Sequence, residues 1–189
     1  MKKITKINNL NKSKKIIFLQ NLIMYFYISA FFGWLLETIF AFMVGNNEKR
    51  GFLYSPICPI YGLGAMLLIL VYNQIRKRKI KNNYIIFILL ACTFTVLEYF
   101  SSLILELLFG MRWWDYSDLF LNFQGRISLA YSIAFSVVGM VFIKLLKNPI
   151  LKFIKRIRKK IKVHNTHIVL SIFSILFIID IVFSCIRYA

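Results

Sequence analysis

Five stretches, residues 22–44, 57–75, 84–109, 127–146 and 167–187, are built almost wholly of Ile, Leu, Val, Phe and other apolar residues. Each is close to the roughly 20 residues that an α-helix needs to cross a hydrocarbon core. With 59% of 189 residues hydrophobic and only 7 acidic, no soluble domain of this size could enclose so much apolar surface. The bilayer is therefore the solvent, and the expected fold is an all-α polytopic bundle of about five spans. The first run is longer than the apolar core of a signal peptide and lacks a small-x-small cleavage site, so it reads as a retained span. Cys58, Cys92 and Cys185 all lie in apolar surroundings without CxxC spacing, as structural thiols do.

Charge supplies the orientation. Six Lys lie in the N-terminal tail (Lys2, Lys3, Lys6, Lys12, Lys14, Lys15), five Lys or Arg join spans two and three (Arg76 to Lys81), and nine fall between Lys144 and Lys162. The other side holds five: Lys49, Arg50, Arg112, Arg126 and Arg187. This asymmetry predicts a cell-membrane protein with its N-terminus in the cytoplasm and its C-terminus outside. It also explains the net charge of +18 without nucleic acid, because no soluble domain is left to present the lysines to a groove.

The chain accordingly divides into a basic cytoplasmic tail (1–21), a four-span core (22–147), a basic link (148–166) and a fifth span with the outer C-terminus (167–189). In the link, Asn148 and Pro149 suit the start of a new helix. Beyond them, Ile150, Ile154, Ile157 and Ile161 recur at helical spacing among Lys and Arg. That pattern is a basic amphipathic helix, suited to the anionic inner leaflet or to a cytoplasmic partner. His164 and His167 close the link, and HxxH alone does not make a metal site.

Four of the seven acids fall inside the spans: Glu37, Glu98, Glu106 and Asp180. A lipid-facing carboxylate costs about 3 kcal/mol at a helix centre, so these side chains should face protein or water. Spacing agrees, since Glu98, Ser102 and Glu106 repeat every four residues. Ser29, Gly33 and Glu37, then Ser128, Ser132 and Ser136, and finally Asp180 and Ser184 do the same on other spans. Given the orientation, the acids share the outer half of the membrane with Arg50, Arg112, Arg126 and Asp115. They either line an outward-facing polar pocket or pair internally for assembly, for example Glu37 with Arg50 or Glu106 with Arg112.

Two irregular stretches complete the outer face. The segment from Trp113 to Arg126 combines interfacial aromatics with Asp115, Asp118, Asn122 and Gln124, and the glycines at 110 and 125 let it fold back as a lid or re-entrant wall. The segment from Arg50 to Ala65 carries Pro56, Pro59, Gly62 and Gly64, so span two should start irregularly and line the same pocket.

These residues also carry a family resemblance. Gly33, Trp34 and Glu37, then Arg50-Gly51-Phe52-Leu53, Pro56, Cys58-Pro59-Ile60-Tyr61-Gly62 and Gly64 form its first part. Glu98, Glu106, Trp114-Asp115-Tyr116-Ser117, Asn122 and Gly125-Arg126-Ile127 form its second. Together they resemble the bacterial membrane family described as putative ABC-transporter type IV, the CmpB-like permeases, over residues 33–139. Ser55 stands where that pattern has glycine, and Ser128 where cysteine is common. The resemblance implies a multi-pass permease of the bacterial inner membrane. Because the chain has no GxxxxGK[ST] loop, an ATPase would be a separate subunit. Five spans are few for a transport path, which points to a homo-oligomer or a larger complex.

The leading expectation is a permease-like transporter component whose pocket for a small solute or ion draws on Glu37, Arg50, Tyr61, Glu98, Glu106, Trp114, Asp115, Tyr116, Asn122 and Arg126. No cofactor, metal ligand or catalytic residue is assigned. Two alternatives stand beside it. Carboxylates next to arginines could serve an enzyme acting on a lipid or cell-envelope substrate, although no His or Ser-His pair lies near. The polar stripes could instead serve only an accessory assembly subunit.

Overall fold

The computed structural model describes residues 2–43, 45, 51–161 and 163–188, and the side chains of 13–43, 45, 51–161 and 165–188. Its helices are α1 (Lys2–Met43), α2 (Pro59–Lys77), α3 (Asn83–Phe109), α4 (Leu129–Val141), α5 (Lys147–Ile161) and α6 (Val163–Tyr188). Between α3 and α4 lies one small hairpin of β1 (Asn122–Phe123) and β2 (Ile127–Ser128). Four helical stretches are long and apolar enough to cross a membrane: Ser13–Met43, Asn83–Phe109, Leu129–Ile161 and Asn165–Tyr188. Helix α2 is shorter at 19 residues, and its last turns carry Asn73, Gln74, Arg76 and Lys77.

The distribution of side chains is inverted relative to a soluble protein. Ser102, Ser132, Ser136 and Ser184 are buried, whereas Phe40, Leu107, Leu108, Ile178 and Ile186 are exposed. In water that arrangement would waste the apolar surface; in lipid the small polar residues let helices approach and the apolar ones face the acyl chains. The all-helical membrane bundle is thus the fold.

The chain forms two compact units. The first contains residues 1–62 and 150–184. Its centre is aromatic: Phe26 meets Phe177 edge-on with ring centroids 5.2 Å apart, and Tyr27 packs on Phe173 and Phe177. Gly62 is required there, because a Cβ at that position would lie 2.9 Å from the Phe26 carbonyl oxygen. Residues 51–58 are non-helical, with Leu53 fully buried and the Cys58 N–H donating to the Ala30 carbonyl at 3.0 Å. Pro59 then takes the first position of α2, where no intrahelical donor is needed. The irregular start expected for span two is present. Helix α5 joins this unit through Ile154, which is fully buried, and through Arg158, whose guanidinium donates to the Asn21 side chain.

The second unit contains residues 63–149 and 185–189. Asn82 caps α3 by accepting from the Tyr84 N–H at 2.9 Å, and Gly110, at φ 66°, ends it. Ser128 caps α4 in the same way toward Tyr131. The Thr95 and Ser132 hydroxyls share a hydrogen bond of 2.8 Å between α3 and α4, and a Cβ on Gly139 would come within 2.8 Å of the Phe94 ring. The serine stripe at 128, 132 and 136 is therefore an inward face, buried throughout.

One local expectation is corrected. Asn148 does not cap a new helix, because α4 continues through a π-helical turn, Phe142–Leu146, directly into α5 with Pro149 near its start. Proline cannot donate to the carbonyl four residues back and its ring crowds that group. The wider turn, in which the Lys147 N–H donates to the Phe142 carbonyl, opens the helix just before Pro149 and lets it run on.

Candidate functional site

Most of the sequence-selected polar residues collect in the second unit, where the loop after α3 folds back onto the helix that precedes it. Helical spacing places Glu98, Ser102 and Glu106 on one face of α3, and the first two are buried. The loop supplies the complementary groups. The β1–β2 turn holds Gln124 and Gly125 both at positive φ, the backbone that a tight hairpin requires, and the Arg126 N–H closes it onto the Phe123 carbonyl at 3.1 Å. That turn delivers Arg126 to α3.

Arg126 is 8% exposed and engages two α3 side chains at once. It pairs with one oxygen of Glu106 and donates to the Ser102 hydroxyl at 3.3 Å. The other Glu106 oxygen accepts from Arg112 at 3.1 Å, so this carboxylate lies between two guanidinium groups. Arg112 also donates to the Gln124 carbonyl at 3.1 Å and lies 3.8 Å from Asp115. The expected alternative pairing of Glu106 with Arg112 is thus realised, with Arg126 as a second partner.

Other candidates hold the loop. The Trp114 indole N–H donates to the Arg126 carbonyl at 3.0 Å. Asn122 is used on both ends of its amide: it donates to the Ser117 and Leu119 carbonyls and accepts from the Gly125 N–H. Asp115 accepts from the Ser117 hydroxyl and N–H, and these bonds, with Arg112 nearby, hold its carboxyl below the ordinary carboxylate range. These residues act as staples for the hairpin.

Glu98 differs. It is 5% exposed, one oxygen accepts from the Tyr116 hydroxyl at 2.8 Å, and the other is buried without a hydrogen-bond partner among the described residues. Tyr116 is fixed in turn by stacking on Tyr131, with centroids 4.4 Å apart and planes at 17°, and by its N–H on the Gly125 carbonyl. Both neighbouring arginines are committed to Glu106. A buried carboxylate oxygen in this position calls for a proton or a cation.

Residues 24–185 match the family model described as putative ABC-transporter type IV. The chain belongs to this family. The match extends past the resemblance at 33–139 to take in the basic link and most of α6. Family and fold together make the protein a membrane component of a transporter family. No curated protein and no solved structure matches the chain.

The remaining candidates lie elsewhere. Glu37 and Tyr61 belong to the first unit, where the Glu37 carboxylate lies close to the Tyr61 hydroxyl. A Cβ on Gly33 would overlap the Tyr61 ring, which explains why the stripe on α1 is smallest there. Arg50 lies outside the described residues, and with it the suggested Glu37–Arg50 pair. Sequence reasoning noticed Asp180 as an intramembrane acid but missed its role. Its carboxylate accepts from the Tyr54 N–H at 2.9 Å, the Ser55 N–H at 3.0 Å, the Ser55 hydroxyl and Ser184. The available signal was Pro56 itself, which keeps the Tyr54 and Ser55 N–H groups out of a helix and leaves them to a side-chain acceptor.

Proposed function

We propose that the protein is the permease-like membrane part of a transporter and that Glu98, backed by Tyr116, binds a cation or relays a proton. The single observation that carries this reading is the half-satisfied Glu98 carboxylate, buried while the two nearby arginines serve another acid. Ionisable groups inside a membrane bundle are rare, face its interior and mark ion and proton paths. Glu106, paired on both oxygens, fits the assembly role instead, so the acids divide between function and frame. The lysine and arginine asymmetry supports an N-terminus in the cytoplasm and an outer position for the loop at Trp114. Energy from ATP would come through a separate subunit.

The test is Glu98→Gln in proteoliposomes, reading proton flux and a panel of monovalent cations. Flux should fall at least about tenfold while the variant inserts and unfolds as the parent does, because the amide retains the Tyr116 bond but loses the charge. Undiminished flux in a well-inserted variant would remove Glu98 from the path. Purification of the parent from its native membrane with a nucleotide-hydrolysing subunit would support the ABC mechanism, and a lone carrier would favour ion coupling.

A further inference from the structure

At the basic end of the first unit, α1 and α6 leave a cleft of about 280 Å³ whose walls include Gln20, Ile23, His167, Leu170, Ser171 and Ser174. Half of the lining residues are aliphatic, but Gln20 is 3% exposed and neither its amide nitrogen nor its amide oxygen has a hydrogen-bond partner among the described residues. A carboxamide buried with both ends unsatisfied is destabilising, so such a group persists where something else completes it.

The surroundings specify the class of that occupant. Lys14 and Lys15 are exposed five and six positions before Gln20, about 8 to 9 Å along the helix axis. His167 sits one turn before Ser171 on the facing helix. Arg158 donates to Asn21, the neighbour of Gln20, and thereby fixes the cationic helix α5 to the same turn of α1, with Lys152, Lys155, Lys159 and Lys160 exposed on it. The cleft therefore combines a cationic mouth with amide and hydroxyl groups set among the aliphatic side chains of Ile16, Leu19, Ile23 and Leu170. A phospholipid offers the complementary groups: a phosphate for the cations, glycerol esters for the amide and hydroxyls, and acyl chains for the aliphatic side chains. Its ester groups can accept from the Gln20 amide and its headgroup hydroxyls can donate to it, at the depth where Gln20, Ser171 and Ser174 lie.

We propose that this cleft is a binding site for one anionic phospholipid drawn from the leaflet at the basic end. The full chain, purified in mild detergent and stripped of lipid, is titrated with short-chain phosphatidylglycerol, phosphatidylcholine and inorganic phosphate. Native mass spectrometry reads the one-to-one adduct, and the unfolding temperature reads stabilisation. Phosphatidylglycerol should bind at least about tenfold more tightly than phosphatidylcholine, and Gln20→Leu should weaken it by about tenfold or more without lowering the lipid-free unfolding temperature. Ser171→Phe, which fills the cleft and removes no cation, should abolish the adduct and serves if Gln20→Leu does not fold. Four results would overturn the proposal: no retained adduct, which leaves a cleft holding water only; equal binding of the two lipids; inorganic phosphate competing as well as phosphatidylglycerol; or binding that survives both variants and so rests on surface lysines alone.

Discussion

The two units satisfy their membrane-embedded acids by different physical means. In the second, Glu106 is neutralised by whole charges, with Arg112 on one oxygen and Arg126 on the other. In the first, Asp180 has only dipoles among its described partners: two backbone N–H groups and two serine hydroxyls. A guanidinium is strong and planar but must itself be carried into low dielectric, so the loss of one member strands the other. Backbone dipoles bring no such liability, yet they require N–H groups that a helix does not engage. Residues 51–58 supply two, from Tyr54 and Ser55, because Pro56 and Pro59 keep the segment out of a helix. The irregular backbone and the uncompensated acid are therefore one device, and the hairpin with its arginines is another.

The largest effect should come from breaking the charged device. Arg126→Met leaves Glu106 with Arg112 alone and removes the partner of Ser102, so it should lower the denaturant midpoint in detergent micelles more than any other single change described here. Adding Glu106→Gln to the same chain removes the stranded charge and should recover much of that loss. A double variant as unstable as the single one would show that Arg126 acts through packing rather than pairing.

Asp180→Asn tests the dipolar device. The amide keeps one acceptor oxygen but presents an N–H₂ group to donors, so about 1.5 to 3 kcal/mol should be lost. Ser55→Ala, which removes one hydroxyl and leaves both N–H bonds, should cost about 1 kcal/mol. If Asp180→Asn were as damaging as Arg126→Met, the contrast between the two units would collapse.

Legibility in the sequence follows the same division. The helices, the inward stripes on α3 and α4 and the irregular start of α2 could all be read, because periodicity and proline act locally. The pairing of Glu106 with Arg112 was also available, being six residues apart across a helix end. What could not be read was Arg126 reaching Ser102 and Glu106, or Asp180 reaching residue 55 from 125 positions away. Those contacts depend on a turn with Gln124 at positive φ, which few non-glycine residues signal, and on how distant segments pack. Of the ten residues expected to share a pocket, seven lie on α3 and the loop that follows it, and their mutual contacts could not be read because proximity along the membrane normal does not determine which groups pair. The hydrogen bonds by which Asn122 and Asp115 hold the loop were also not legible, since loop polarity alone does not specify partners. Pro149 misled because a π turn can absorb a proline that would otherwise start or end a helix.

A smaller effect separates the hairpin from the helix end that precedes it. Gly110 and Gly125 share φ 66°, but a Cβ on Gly110 meets nothing within 4 Å, whereas one on Gly125 would strike the Asp115 carboxylate and the Ser117 hydroxyl. Gly110→Ala should therefore lose only the left-handed penalty of about 1 kcal/mol, and Gly125→Ala should lose more and release the loop. Equal losses would mean that the Asp115 staple gives way without consequence.

The smallest expected effect is the pH response of that staple. The Asp115 carboxyl is held below its ordinary value near 3.8, first by the Ser117 hydroxyl and N–H and then by Arg112. A depressed folded-state value means that the unfolded chain takes up the proton first. The contribution of Asp115 is therefore fully present above about pH 5 and disappears as pH falls through the lowered value. Trp114, whose indole N–H is tied to the Arg126 carbonyl, reports on the hairpin by fluorescence. Its emission should be flat from pH 8 to about pH 5 and shift only in stronger acid, and Asp115→Asn should flatten that acid transition. A transition near pH 6 to 7 that persists in Asp115→Asn would exclude Asp115 as its source.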